Sequence, residues 1–253
     1  YAVDVSGWQL DGGVEHTFLP GTVLVAGGRL YVSPNAKAFR SRTTGPRGGQ
    51  GLLVQGDYKG HLSSWGETVT LLGRDGRIVD TLAYAGTPSD QQQSLRITEI
   101  MYNPAPTGDF DDQACEFIEL RNIGTAALVL DGASLTEGVS YAFQQGGKVS
   151  LAAGECIVIA RNRAAFIARY GNGVRLAGGT FTGNLDNAGE QIKVEDRTHN
   201  TILEFKYKDA WRPETDGLGF SLEIEDATDS DLDRWGKSSA WQAGSQEGGS
   251  PGI

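Results

Sequence analysis

Apolar residues in this chain occur in short runs that are bounded by glycine, asparagine or proline. In several of these runs apolar and polar side chains alternate: Ile192 and Val194 flank Lys193, and the same alternation continues through residues 203–207. A period of two places one side of a strand in the core and the other in water. The regular succession of such runs, with turn residues between them, predicts an all-β protein of antiparallel strands that form a β-sandwich or a barrel.

Two segments depart from this pattern, and we predict short connecting helices over residues 36–42 and 162–170. The second segment begins with an N-cap candidate, Asn162, and ends before Gly171. Each helix spans about two turns, so neither changes the expectation of an all-β fold.

The polar stretch 87–93 also interrupts the strand pattern, which is typical of a boundary between domains. We therefore predict one domain over residues 1–90 and a second over residues 91–253. The chain is acidic and then glycine- and serine-rich after residue 225 or so, and this part is expected to form an irregular tail.

The sequence contains an internal repeat. Residues 5–10 align with residues 130–135 at an offset of 125, and residues 56–67 align with residues 179–190 at an offset of 123. A period of this length exceeds that of a solenoid repeat of about 20–50 residues, and it predicts two similar domains in tandem. A duplicated module favours a binding or spacing role over a single active site.

Composition narrows the classes of function. Hydrophobic residues make up 39% and charged residues 21% of the chain, as in a globular protein. The net charge of −10 argues against a nucleic-acid or anionic-membrane binder, because phosphate groups are bound by lysine and arginine. No apolar run approaches the roughly 18 residues of a membrane span.

Cys115 and Cys156 are the two cysteines of the sequence. A disulfide between them requires neighbouring strands and a demanding geometry, whereas two unrelated buried thiols would pack as small apolar groups. Both interpretations stay open, and neither defines the compartment.

The second copy contains a series of motifs at 97–104, 116–122, 151–155, 183–190, 216–223 and 249–252. No single motif is specific, but their order and spacing together are. The series resembles the lamin tail domain family in its bacterial form. The resemblance covers residues 97 to about 225, and the internal repeat extends it to residues 1–86.

This resemblance implies an immunoglobulin-like β-sandwich in each copy and a non-catalytic role. The expected function is that of a protein-interaction or spacer module in a larger exported bacterial protein, secreted or at the cell surface. The expected partners are other protein domains of the same parent chain or of a surface assembly.

The first copy lacks a counterpart of residues 97–122, which hold the opening strands in the second copy. A sandwich without these strands has an open sheet edge and an uncovered core face. We expect the first copy to be completed by residues outside this sequence, by the tail beyond residue 225 or by strand exchange with another chain, or else to be the less stable of the two.

The sequence offers little support for catalysis. His16, His61 and His199 lie in turn-rich stretches, and no nucleophile stands in a recognisable frame with a base. Surface histidines are the simpler interpretation. The glycine-rich stretches 60–67 and 183–190 lead into strands rather than helices, which favours turns over phosphate binding. We predict no enzyme activity and no cofactor.

A ligand-binding module for calcium or carbohydrate is the alternative function. Calcium prefers oxygen ligands, and two acidic clusters supply them, although neither has the pattern of an EF-hand loop and both could be solubilising loops. The first cluster contains Asp109, Asp111, Asp112 and Glu116, and the second contains Asp226, Asp229, Asp231 and Asp233. Trp211, Trp235 and Trp241 lie in loop-like sequence and are the candidates for stacking on sugars.

Overall fold

The computed structural model describes residues 1–44, 51–106, 108–144, 146 and 148–253. The chain forms two compact units, unit 1 (Tyr1–Thr87) and unit 2 (Pro88–Ile253). The described residues form mostly antiparallel sheets with few helices, which confirms the all-β fold class.

The described elements of unit 1 are short strands and one helix. They are β1 (Val3–Asp4), β2 (Gln9–Asp11), β3 (Val14–Thr17), β4 (Val23–Leu24), β5 (Leu30–Val32), α1 (Ala36–Ser41), β6 (Leu53–Gln55), β7 (Lys59–Gly60), β8 (Glu67–Leu72) and β9 (Ile78–Tyr84).

Besides short 3-10 helices, the described residues of unit 2 form strands and two α-helices. They are α2 (Asp90–Ser94), β10 (Leu95–Met101), β11 (Phe117–Asn122), β12 (Leu128–Val129), β13 (Ser134–Glu137), β14 (Tyr141–Ala142), β15 (Ser150–Leu151), β16 (Cys156–Ala160), α3 (Arg163–Tyr170), β17 (Gln191–Glu195), β18 (Thr201–Lys206), β19 (Leu222–Ile224) and β20 (Trp241–Ala243).

Two sheets enclose the core of unit 2. One sheet has the order β14-β13-β17-β18 and the other has the order β16-β11-β10-β19-β20. Ile192 and Val194 of β17 point into the core between the sheets, whereas Lys193 is half-buried, as the alternating pattern predicts. Ile100 of β10 and Ile118 of β11 enter the same core from the facing sheet. This arrangement is an immunoglobulin-like sandwich.

Helix α3 covers the outer surface of the second sheet. Its Phe166 packs with Phe117 and Val158 in a separate apolar cluster, and the Phe166 and Phe117 rings meet edge to face at 5.5 Å. Asn162 caps the helix, since its side-chain oxygen accepts hydrogen bonds from the Ala164 and Ala165 amides at 2.9 and 3.2 Å. The predicted helix and its cap are confirmed.

The segment after residue 225 is ordered, which corrects the expectation of an irregular tail. Trp235 and Trp241 are fully buried in the core of unit 2, and β20 pairs with β19. The Trp235 indole N–H donates to the Ile97 carbonyl oxygen at 2.9 Å, and that of Trp241 donates to the Trp235 carbonyl oxygen at 2.8 Å. These bonds satisfy the indole groups that burial removes from water.

Unit 1 contains a sheet of order β7-β3-β2-β8-β9, whose last four strands follow the same sequential order as β14-β13-β17-β18 in unit 2. Strand β5 pairs in parallel with β6, and β1 pairs with β4. Among the described residues of unit 1, no strands stand in the place that β10 and β11 occupy in unit 2.

Candidate functional site

One face of the unit 1 sheet presents an accessible apolar surface. We call this surface the open face and define it by Leu10, Val69, Leu71, Leu82 and Tyr84. These residues line an open cavity of about 350 Å³. Leu82 is 69% exposed and the other four are half-buried.

Strand register places the open-face residues beside one another. Val69 and Leu82 are direct partners across β8 and β9, and Leu10 and Leu71 are partners across β2 and β8. Asp80 stands opposite Leu71 at the β9 margin and is exposed. The open face is therefore a continuous apolar strip with one carboxylate at its edge.

The equivalent positions of unit 2 form its core. Ile192 pairs with Phe205 as Val69 pairs with Leu82, and Tyr207 follows β18 as Tyr84 ends β9. The counterparts are at most 4% exposed, and they are Leu135, Ile192, Val194, Phe205 and Tyr207.

The cover over these counterparts comes from the second sheet and the C-terminal segment of unit 2. The ring of Tyr207 lies 5.0 Å from that of Tyr102, and the ring of Phe205 lies 5.4 Å from that of Trp241. The described part of unit 1 has no such cover. One sheet face is thus core in unit 2 and surface in unit 1.

A turn with the same bonding occurs in both units. In unit 1 the Ser63 amide donates to Glu67 Oε1, and the Tyr84 hydroxyl lies 2.8 Å from both Glu67 Oε1 and the Ser63 carbonyl oxygen. In unit 2 the Asp186 amide donates to Glu190 Oε1, and the Tyr207 hydroxyl donates to the Asp186 carbonyl oxygen at 2.8 Å.

The two glutamates of this turn nevertheless differ in acidity. The Ser63 amide and then the Tyr84 hydroxyl lower the pKa of Glu67, whereas burial raises the pKa of Glu190. Desolvation disfavours a carboxylate, and hydrogen-bond donors favour it. The opposite directions follow from the cover that unit 2 has over this turn.

A second polar site lies on the outer surface of the β11-β10-β19 sheet. Glu99 stands directly between Glu119 and Glu223 in the strand register, and Glu99 is 2% exposed. The Ser250 amide donates to Glu99 at 2.9 Å, the Gly252 amide donates to Glu119 at 2.6 Å, and the Ser250 hydroxyl donates to Glu223 at 2.9 Å.

Burial raises the pKa of Glu99 to about 8 and also raises the pKa of Glu119. The three carboxyl groups hold the C-terminal segment onto the sheet. Sequence reasoning missed them, because a glutamate at a polar position of a strand normally faces water. The 249–252 motif was the only sequence feature connected with these glutamates, and the sequence does not show that this motif contacts them.

The first acidic cluster does not converge on one point. Asp111 accepts the Ala114 amide at 2.8 Å and starts a turn. Glu116 is buried, accepts the Leu185 amide at 3.0 Å, and lies 3.8 Å from Arg161 Nη1. Burial raises the pKa of Glu116 to about 7. Asp109 and Asp112 lie in the preceding loop.

The second acidic cluster is likewise engaged in its own turns. Asp226 accepts the Thr228 amide at 2.8 Å, Asp229 accepts the Asp231 amide, and Asp231 accepts the Asp233 amide. Arg234 and Lys237 pair with Asp229 and Asp231. Across the described residues, no three acidic, histidine or cysteine side chains are arranged to hold a metal ion. Calcium binding at either cluster stays an untested prediction.

The structure corrects the sugar platform at two of its three tryptophans. Trp235 and Trp241 have 0% exposure and lend no ring face to a ligand. Trp211 is half-buried, and its ring lies 6.4 Å from that of Trp241. The indole rings complete the hydrophobic core instead.

The histidines and cysteines are dispersed. His16 is buried rather than on the surface, with its ring edge-on to Phe18 at 5.2 Å, whereas His61 and His199 are exposed. Cys115 and Cys156 are free and buried. In the described part of the chain, no contact joins a histidine to Cys115 or Cys156 as a nucleophile–base pair.

Residues 88–209 match the model of the Lamin Tail Domain family. This match lies within unit 2 and confirms the resemblance for that part of the chain. No curated protein and no solved structure matches the chain. Within the described residues, no helix combines the length and apolar character that crossing a membrane would require.

Proposed function

We propose that this chain is a non-catalytic protein-interaction module of a larger exported bacterial protein, made of two lamin-tail-like sandwiches in tandem. Unit 1 binds another protein domain, of the same parent chain or of a cell-surface assembly, through its open face. The observation that carries this proposal is the apolar face of unit 1, whose counterpart in unit 2 is buried core.

Matching local structure supports the tandem duplication. Asn35 caps α1 by accepting the Ala38 amide at 2.9 Å, just as Asn162 caps α3. Gly66 and Gly189 have φ angles of 87° and 96°. At each glycine an added Cβ would collide with the carbonyl oxygen of the tyrosine in the shared turn.

The energetics of burial favour a docked partner. Full burial of a leucine side chain stabilises a protein or a complex by roughly 1.5–3 kcal/mol. Leu82 is 69% exposed, so most of this stabilisation is still to be gained. A contiguous apolar surface of this kind is typical of a protein-binding site. The net charge of −10 favours a protein partner over nucleic acid or an anionic membrane.

Binding of an apolar fluorescent dye to the full chain tests the accessibility of the open face. We expect dye fluorescence with the wild type and a clear loss with Leu82→Asp, which adds a charge at an exposed position. Leu218→Asp is the matched control, because Leu218 is 62% exposed in unit 2. Equal dye binding by both variants and the wild type would contradict the proposal.

A further inference from the structure

We propose that Glu99, Glu119 and Glu223 form a proton-dependent latch for residues 249–253, which we call the latch segment. The latch segment lies on the outer surface of the β11-β10-β19 sheet while the three carboxyl groups hold a proton among them. It leaves the sheet when all three are ionised, and the sandwich of unit 2 stays folded in both states. The latch contains no residue of the open face, so it is independent of the proposed function.

The latch segment is attached to the sheet through these glutamates. In the described part of the chain, each hydrogen bond that joins the segment to residues outside it and its own turns ends on one of the three carboxyl groups. The donors are the amide and hydroxyl of Ser250 and the amide of Gly252. The amides of Gly249 and Ile253 donate to carbonyl oxygens three positions earlier in the chain. The ionisation of the three carboxyl groups therefore bears directly on the attachment.

The strand register brings the three carboxyl groups together at a covered site. Glu99 stands opposite Glu119 on β11 and opposite Glu223 on β19. Opposite residues of an antiparallel pair have Cα atoms about 4.5–5.5 Å apart. Glu99 and Glu119 are each 2% exposed. Like charges repel one another more strongly where water is excluded, so three full negative charges are unfavourable while the latch segment covers them.

The other titratable groups around the latch supply little compensating charge. Arg121 on β11 acts on Glu119 with its positive charge, and its Nε also donates to a backbone carbonyl oxygen at 3.2 Å. Burial raises the pKa of Cys156 on β16 to about 12 and also raises the pKa of Tyr170 on α3, so both stay neutral. Glu225 is exposed at the margin of the same surface. In the described part of the chain, one cation thus faces three carboxyl groups.

Docking of the latch segment and protonation favour each other. Burial first, and then the charges of Glu119 and Glu223, raise the pKa of Glu99 to about 8. The hydrogen bond from the Ser250 amide acts in the opposite direction, because it favours the carboxylate, but burial outweighs it. Release of the segment returns water to the carboxyl groups and so lowers their pKa. The docked state binds the proton more tightly and is therefore lost as the pH rises.

Two glycines provide the point at which the latch segment can turn away. Gly248 and Gly249 have φ angles of 99° and 78°, which glycine adopts without strain. The Gly248 amide donates to the Gly219 carbonyl oxygen at 2.7 Å, and the Tyr170 hydroxyl donates to the Gly248 carbonyl oxygen at 2.6 Å. Neither bond involves a carboxyl group. They keep the chain on the sandwich up to residue 248 when the latch segment leaves.

A pH titration of the full chain by carbon-detected NMR, from about pH 5 to about pH 9.5, tests the latch. This detection does not depend on the amide protons, which exchange with water at high pH. Side-chain carboxyl carbons report ionisation of the glutamates, and the carbon shifts of residues 249–253 report docking.

We expect the Glu99 carboxyl carbon and the latch segment to change with one common midpoint, above the usual 4.5 and no higher than about 8. The ratio of docked to released segment should fall by roughly tenfold for each pH unit through this transition, as release of one proton requires. Signals of Ile192 and Val194 in the core should stay unchanged.

Three variants separate the latch from other effects of pH. Glu99→Gln keeps the size of the side chain but cannot ionise, and its amide can donate to both neighbouring carboxylates, so the latch segment should stay docked throughout. Glu225→Gln is the matched control, because Glu225 makes no described hydrogen bond to the segment, and it should leave the titration unchanged. Gly249→Ala adds a Cβ that would collide with the Glu99 carboxyl group, and it should give the released spectrum at every pH.

The wild-type titration alone can overturn the proposal. Latch-segment signals that stay fixed while Glu99 ionises would show that the carboxyl charge does not control docking. Core signals that move together with the segment would show unfolding of unit 2 instead of local release. A transition that persists unchanged in Glu99→Gln would likewise remove Glu99 from the latch. Each of these results leaves the dye test of the open face unaffected.

Discussion

Alanine substitutions at two equivalent positions should distinguish the covered sheet from the open one. Phe205 in β18 stands opposite Ile192, and Leu82 in β9 stands opposite Val69. Phe205 is 4% exposed and packs against Trp241, whereas Leu82 is 69% exposed. The two side chains occupy the same place in their sheets but bury very different areas.

The expected losses of unfolding free energy follow from these exposures. Truncating a buried phenylalanine to alanine costs about 3–5 kcal/mol, because it removes transfer free energy and leaves a cavity. Leu82→Ala leaves no closed cavity, and only about a third of the side chain is shielded, so its cost should be roughly 1 kcal/mol or less. Phe205→Ala should therefore be several times more destabilising.

Urea unfolding followed by amide NMR signals of each unit measures both losses separately, which matters because two domains need not unfold in one transition. Leu218→Ala, at a position 62% exposed in unit 2, controls for truncation of an exposed leucine and should cost little. Equal losses of more than about 2 kcal/mol for Leu82→Ala and Phe205→Ala would refute the reasoning, because they would place Leu82 in a packed core.

Three other variants test separate parts of the structure. Burial raises the pKa of Glu99 to about 8 from its usual 4.5, so the folded chain keeps a proton that the unfolded chain releases. Unit 2 should therefore lose stability as the pH rises from 4.5 towards 8. Glu99→Gln should reduce this dependence of the unfolding free energy on pH, measured by urea titrations at several pH values. Trp235→Phe deletes the donor to the Ile97 carbonyl oxygen and should destabilise unit 2 by about 1–3 kcal/mol in the same assay. An unchanged free energy of unfolding would contradict the contribution of this hydrogen bond to the core. Asn162→Ala removes the α3 cap and should cost about 1 kcal/mol, seen as faster amide exchange at the start of the helix, whereas unchanged exchange would contradict the capping role.

Local patterns predicted the elements whose structure depends on neighbours in sequence. Alternation identified β17 and β18, and Asn162 identified the start of α3. The same patterns could not predict that Trp235 and Trp241 are buried, because the acidic and glycine-rich sequence around them has neither the period of a strand nor that of a helix. Their burial depends on contacts with residues far away along the chain, such as Ile97.

The polar and open surfaces were equally hard to predict. Glu99 occupies a position that alternation assigns to water, yet Ser250 and the residues after it fold back over it. Leu82 and Phe205 have similar local sequence and identical register, and the difference in their exposure depends on whether a second sheet lies above them. Among the described residues of unit 1, no second sheet lies over Leu82, and the open face is the structural consequence.

Amide hydrogen exchange on the monomeric full chain tests the central claim most directly. The account predicts that β8 and β9 exchange at least about tenfold faster than β17 and β18, because the same sheet face is open in unit 1 and covered in unit 2. Equal protection of the two strand pairs in a monomer with nothing docked would contradict it.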